Sequence, residues 1–160
     1  MDGWLFALTL AAALGCAVMS GLFFAFSNFV MQALDRLPGT QGMAAMRSIN
    51  VAILTPLFLL VLMGTAALCV AVGVVSVFRL DENDGPYLLA GSLLYLVGTI
   101  LLTMGYHVPR NDALERMGPG DPEAPALWRR YMAEWVPWNH VRTIACLAAT
   151  ALFIVAVQVH

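Results

Sequence analysis

The chain is 160 residues long, 61% hydrophobic and only 11% charged, with a mean hydropathy of +0.80. A soluble domain of this size carries about 25% charged residues, and eight Arg, no Lys and a net charge of −2 provide no basic field for nucleic acid. Disordered, disulfide-stapled and nucleic-acid-binding classes are thereby excluded, which leaves a small integral membrane protein of one domain, 1–160.

No Asp, Glu or Arg occurs from Gly3 to Leu34, Ser48 to Phe78, Gly85 to Pro109 or Thr143 to His160. Each stretch reaches or approaches the roughly 20 residues that carry a helix across about 30 Å of hydrocarbon. Runs such as LLVLMGTAALCVAVGVVSVF lack the alternation of barrel strands. The sequence therefore predicts an all-α membrane four-helix bundle, with spans near residues 4–33, 51–78, 86–106 and 138–159.

The first span has no basic leader and is too long for the apolar segment of a signal peptide, so it reads as a retained helix. It repeats Ala13, Ala17, Gly21 and Ala25 at four-residue spacing. Small residues let helices approach closely in lipid, which predicts that this seam faces the bundle interior. Pro56 falls inside the second predicted span, where it should kink the helix and free a carbonyl near Ala52. The third span carries Gly91, Gly98 and Gly105 on one face, a second seam turned inward. Either seam serves equally well as a homodimer contact. Cys16, Cys69 and Cys146 lie on separate spans, form no CxxC, and read as buried apolar thiols.

Between the third and fourth spans, Asp121, Pro122 and Glu123 have the chemistry of a helix start. Trp128, Tyr131, Met132 and Trp135 then recur at helical spacing, with Arg129 and Arg130 on another face. This predicts an amphipathic interfacial helix over about residues 121–136, its aromatics at headgroup level, ended by Pro137. The loops at 35–50 and 107–137 hold Arg36, Arg47, Arg110, Arg116, Arg129 and Arg130. Arg-rich short loops stay cytoplasmic, so both termini are expected on the outer face of the cell's inner membrane.

Polar side chains gather at that Arg-rich end: Ser27 and Asn28 on the first span, Arg47 and Asn50 at the second, His107, Arg110 and Asn111 at the third, Asn139, His140, Arg142 and Thr143 on the fourth. Polar groups at membrane depth are costly and usually face a bundle interior or wet cavity, which predicts a pocket here. His140 is the natural general base, because imidazole exchanges protons near neutral pH. Asn139 and Thr143 share a helix face from which they could donate to a substrate carbonyl. His107 and His140 supply at most two metal ligands, which leaves a haem- or copper-binding redox protein as one alternative and a non-enzymatic lipid or quinone binder as another.

Four segments, FFAFSNFVMQAL, GMAAMRSIN followed by TPLF, VPRNDAL, and W-x-x-W-N-H-V-R-T, resemble the anthrone oxygenase-like family of small four-helix membrane proteins. The family's motif positions fall on Ser27, Asn50, Asn111, Trp135, Asn139, His140 and Arg142, whereas His107 stands where many relatives have Asn before Val-Pro. The resemblance implies oxidation of a hydrophobic phenolic tricycle by O2 without metal or organic cofactor. His140 would remove the ring C–H proton, and Asn139, Asn111 or Arg142 would stabilise the oxyanion. Ser27, Asn50, His107 and Trp135 would contact the substrate.

Overall fold

The computed structural model describes residues 1–118 and 120–160 and contains helices and connecting loops, with no strand among the described residues. Among the described residues there are five helices: α1 (Gly3–Asp35), α2 (Gln41–Ala52), α3 (Pro56–Val77), α4 (Gly85–Arg116) and α5 (Ala124–Val159). All but α2 are long and apolar enough to cross a membrane. The four long helices close a ring in chain order, α1 on α3, α3 on α4, α4 on α5 and α5 back on α1. The N-terminal amine meets the His160 ring, so both termini share one end of the bundle. The Arg-rich segments share the other.

Two apolar cores fill the ring. The larger joins Leu5, Met19, Cys69, Leu88, Tyr95 and Phe153 within the spans, and the smaller gathers Met31, Met43, Met46, Leu114, Trp128 and Trp135 beneath α2. Cys16, Cys69 and Cys146 are all free and buried. Tyr95 Oη donates to the Leu62 carbonyl at 3.0 Å, which meets the polar need of a phenol buried in the first core.

The structure moves several predicted features. Pro56 does not kink a span; it opens one. Thr55, pushed to extended backbone (φ −77°, ψ 154°) as residues before proline are, ends the preceding helix, and its Oγ accepts from Phe58 N at 3.2 Å to cap α3. The stretch 41–52 thus becomes the separate helix α2. Pro137, by contrast, lies inside α5, which runs unbroken from the amphipathic stretch into the fourth span. Tyr106 Oη reaches the Glu134 carbonyl at 3.4 Å, supplying a donor from a neighbouring helix in the turn before the proline. The start of this helix also shifts: Asp121 Oδ1 takes the Glu123 N–H at 2.9 Å, and the helix begins at Ala124 with Pro125 in its first turn. Trp128, Tyr131 and Trp135 point into the smaller core instead of sitting at headgroup level, because α2 and the end of α4 cover that face.

The seams divide as well. A Cβ on Gly91 would stand 2.9 Å from the Phe153 ring, and one on Gly98 would stand 2.5 Å from Ala145 Cβ, so both glycines permit the close approach of α4 to α5. Gly105 has no such neighbour. On α1, Ala13 is buried but Ala17 and Gly21 face outward; the inward face is Thr9, Ala12, Cys16, Met19 and Phe23. A methyl group tests both faces. Gly98→Ala should destabilise the folded protein by about 1–3 kcal/mol through overpacking. Gly21→Ala, facing open space, should be neutral or slightly stabilising by helix propensity. Thermal unfolding in detergent measures the difference.

Candidate functional site

At the Arg-rich end, where the two cores meet, the five helices surround a cavity of about 420 Å³. Its walls are mainly apolar, with Leu22, Phe23 and Phe26 from α1, Met46 and Ile49 from α2, and Phe58 and Leu62 from α3. Into it project Asn50 from α2, Thr103, His107 and Asn111 from α4, and Trp135 and Arg142 from α5.

Short stretches of wide π-helical turn in α1 and α4 set the α4 groups and, behind them, Ser27. One spans Phe26–Val30 in α1; another spans Thr103–His107 in α4, directly after a similar stretch at Leu96–Leu101. Each admits an extra residue per turn, which rotates the side chains beyond it, and such turns are frequent at functional sites. The first carries Ser27 and the second carries Thr103 and His107, so the polar face of α4 runs Thr103, His107, Asn111 at four-residue steps.

Arg142 is the centre of the arrangement. It is 6% exposed, and no ion pair among the described residues includes it. Nη1 donates to Thr103 Oγ1 at 3.2 Å and Nη2 to Asn139 Oδ1, while the guanidinium lies 4.2 Å from the Phe23 ring centroid and 5.3 Å from that of Trp135. Nε is buried without a partner. Asn139 spends its own N–H groups on the Phe23 carbonyl, at 2.7 Å, and on Ser27 Oγ. It therefore holds Arg142 in place and has no donor left for a ligand. Ser27 in turn anchors Asn139.

His107 is 1% exposed. Its Nδ1 meets the Leu102 carbonyl at 3.4 Å, and the tautomer that donates there leaves the Nε2 lone pair free. Nε2 is buried with no partner. The Trp135 ring system packs nearly perpendicular to the imidazole, with centroids 5.2 Å apart. Asn111 Oδ1 accepts from Tyr131 Oη at 2.8 Å and Trp135 Nε1 at 3.2 Å, which orients the amide and leaves its N–H groups uncommitted. On α2, Asn50 Nδ2 is a third buried polar atom with no partner.

The sequence-predicted residues therefore separate. Asn50, His107, Asn111, Trp135 and Arg142 line the cavity, with Ser27 and Asn139 immediately behind them. His140 does not join them: it is exposed on the outer face of α5 with Val141, Ile144 and Leu147, one residue and about 100° of helix turn from Asn139. His107 and His140 consequently do not converge, and no three His, Cys, Asp or Glu side chains gather as a metal site among the described residues. Asn28 also points away, bonding its own Phe24 carbonyl, and Arg110 lies over the Tyr106 ring and pairs with Glu134 at 2.8 Å. The sequence singles out neither Phe23 nor Thr103, and it places Tyr131 at headgroup level instead of behind the cavity. Phe23 lies four residues before Ser27 and Thr103 four before His107, a face relationship visible in the spacing once a helix is assumed.

Residues 58–152, more than half of the chain, match the family model described as anthrone oxygenase. No curated protein and no solved structure matches the chain. The matched stretch takes in α3, α4 and most of α5, and with them His107, Asn111, Trp135, Asn139 and Arg142. With four helices fit to span a bilayer and that match across three of them, the chain belongs to the anthrone oxygenase family.

Proposed function

We propose that the cavity binds a flat, hydrophobic phenolic substrate of the anthrone type and that the protein oxidises it to the quinone with O2. One observation carries this reading: three buried polar atoms without partners, Asn50 Nδ2, His107 Nε2 and Arg142 Nε, belong to residues lining a single apolar cavity. Buried polar groups are normally satisfied, so three such atoms around one space point to a ligand with complementary groups.

The chemistry follows from the same atoms. His107 Nε2 takes a proton from the acidic ring methylene, and Arg142, with Asn50 or Asn111, stabilises the oxyanion left on the ring carbonyl oxygen. The electron-rich anion passes one electron to O2, and the resulting radical pair combines to place a peroxide on the former methylene carbon. The peroxide regains a proton from His107. Loss of the second C–H proton with cleavage of the O–O bond then gives the new carbonyl and water. The substrate is the reductant and O2 the oxidant, so this sequence needs no resident cofactor. The base falls to His107 because His140 faces away from the cavity.

We place the cavity toward the cytoplasm of a cell membrane and both termini outside, on the excess of Arg in the segments around the cavity. A cysteine at His160 should then react with an impermeant maleimide in intact cells, and one at Arg129 only after permeabilisation; the opposite pattern would invert the topology.

The catalytic test uses the purified protein in lipid nanodiscs, with an anthrone as substrate, following oxygen uptake and quinone absorbance above the uncatalysed rate. His107→Gln should lower kcat by about 10²–10⁴-fold, while His140→Ala stays near wild type. Equal rates for His107→Gln and wild type would remove the base assignment. Arg142→Lys should lose about 10²-fold or more, because a compact ammonium cannot span Thr103 and Asn139, which two separate guanidinium nitrogens reach, and still face the oxyanion. Tight binding of the anthrone or its quinone with no oxygen uptake would instead identify a binding protein.

A further inference from the structure

The cavity has two kinds of boundary. On one flank it is bordered by Leu54, Leu59 and Met63 around the start of α3 and by Met104 and Val108 of α4. These same side chains are exposed on the outside of the bundle, Leu54 by 61% and Met104 by 63%. Both sides of this mouth come from stretches without a charged residue, Ser48 to Phe78 and Gly85 to Pro109. The gap exists because α3 packs closely on Gly85–Tyr95, only thinly on Leu96–Leu101, and diverges from α4 beyond. Toward the Arg-rich end, α2 lies across the cavity with Met43 and Met46 buried beneath it. Arg47 fastens α2 by donating to the Met117 carbonyl at 2.8 Å and pairing at 3.4 Å with Glu115, which stands with Asp112 at the polar rim.

We infer that the cavity is filled from the bilayer: a largely apolar molecule with one acidic oxygen passes sideways between the start of α3 and Met104–Val108 of α4, while α2 closes the aqueous side. Its apolar body moves from hydrocarbon to the Phe23, Phe58 and Leu62 walls without crossing water. Its acidic oxygen meets the uncompensated Arg142 guanidinium. The inference rests on the cavity being the ligand site proposed above, and it is independent of whether oxidation follows.

Cys16, Cys69 and Cys146 are fully buried, so a single added thiol can report access. Met46→Cys places one inside the cavity, and Ile49→Cys is a second position should the first fail to fold. In permeabilised vesicles, N-pyrenylmaleimide, which dissolves in lipid, should label this thiol at least about tenfold faster than a sulfonated maleimide, each rate taken relative to a surface thiol at Arg129→Cys. Adding Met104→Trp at the mouth should slow the pyrenyl reagent several-fold. Val97→Trp, exposed on α4 but outside this cavity, should leave the rate unchanged. Equal labelling by the two reagents, or equal effects of the two tryptophans, would overturn lateral access. Because no anthrone is present, failure here leaves the His107 test standing, and failure of that test leaves this one.

Discussion

The fold at its Arg-rich end is organised around one buried cation, Arg142, which has no counter-charge among the described residues. Burying a guanidinium costs several kcal/mol when no carboxylate accompanies it, and among the described residues none pairs with Arg142. The surroundings offset part of that cost with dipoles and ring faces: Thr103, Asn139, Phe23 and Trp135. Each comes with its own requirement. Asn139 must be held by Ser27 and the Phe23 carbonyl, Trp135 by Asn111, and Asn111 by Tyr131. Satisfying one charge therefore fixes the relative positions of α1, α4 and α5. A carboxylate in place of Asn139 would have been the simpler solution for stability. Its absence keeps the positive potential available to a ligand.

The division between what was readable in the chain and what was not has a physical basis. Spans were readable because hydrocarbon excludes charge, and the gaps between charged residues mark α1, α3, α4 and the second part of α5. Prolines were harder. Pro56 follows Thr55, whose hydroxyl caps α3 by accepting from Phe58 N, whereas Pro137 follows Val136, which cannot cap, and lies inside a helix with Tyr106 of α4 supplying a donor beside it. The first arrangement is local and is written in the Thr-Pro pair, while the second depends on a neighbouring helix and has no trace in the Val-Pro pair.

Depth in the membrane was legible, and direction was not. Listing polar residues by level brought Ser27, Asn50, His107, Asn111, Asn139 and Arg142 to one layer, where the structure has them. It also brought His140, whose neighbour Asn139 faces inward. Choosing between them required knowing which face of α5 meets α1, and the wide turns in α1 and α4 alter the register on which such a choice depends. The small-residue seam of α1 failed for a related reason. Spacing identifies a face but cannot say whether protein or lipid lies against it, and on α1 the packed face is set by Cys16, Met19 and Phe23.

The break at Thr55–Pro56 has a wider consequence. It detaches α2 from the transmembrane frame, so the roof of the cavity is secured by a few methionines and by Arg47, through one hydrogen bond and one partly exposed ion pair. The residues suited to reaction, His107 and Arg142, are built into helices that cannot move without disturbing the whole bundle. The roof contributes Met46, Ile49 and Asn50, which are far less constrained. The molecule is thus divided into a fixed reactor and an exchangeable ceiling, and changes confined to a dozen residues of α2 can redraw which molecules fit while leaving the chemistry beneath them intact.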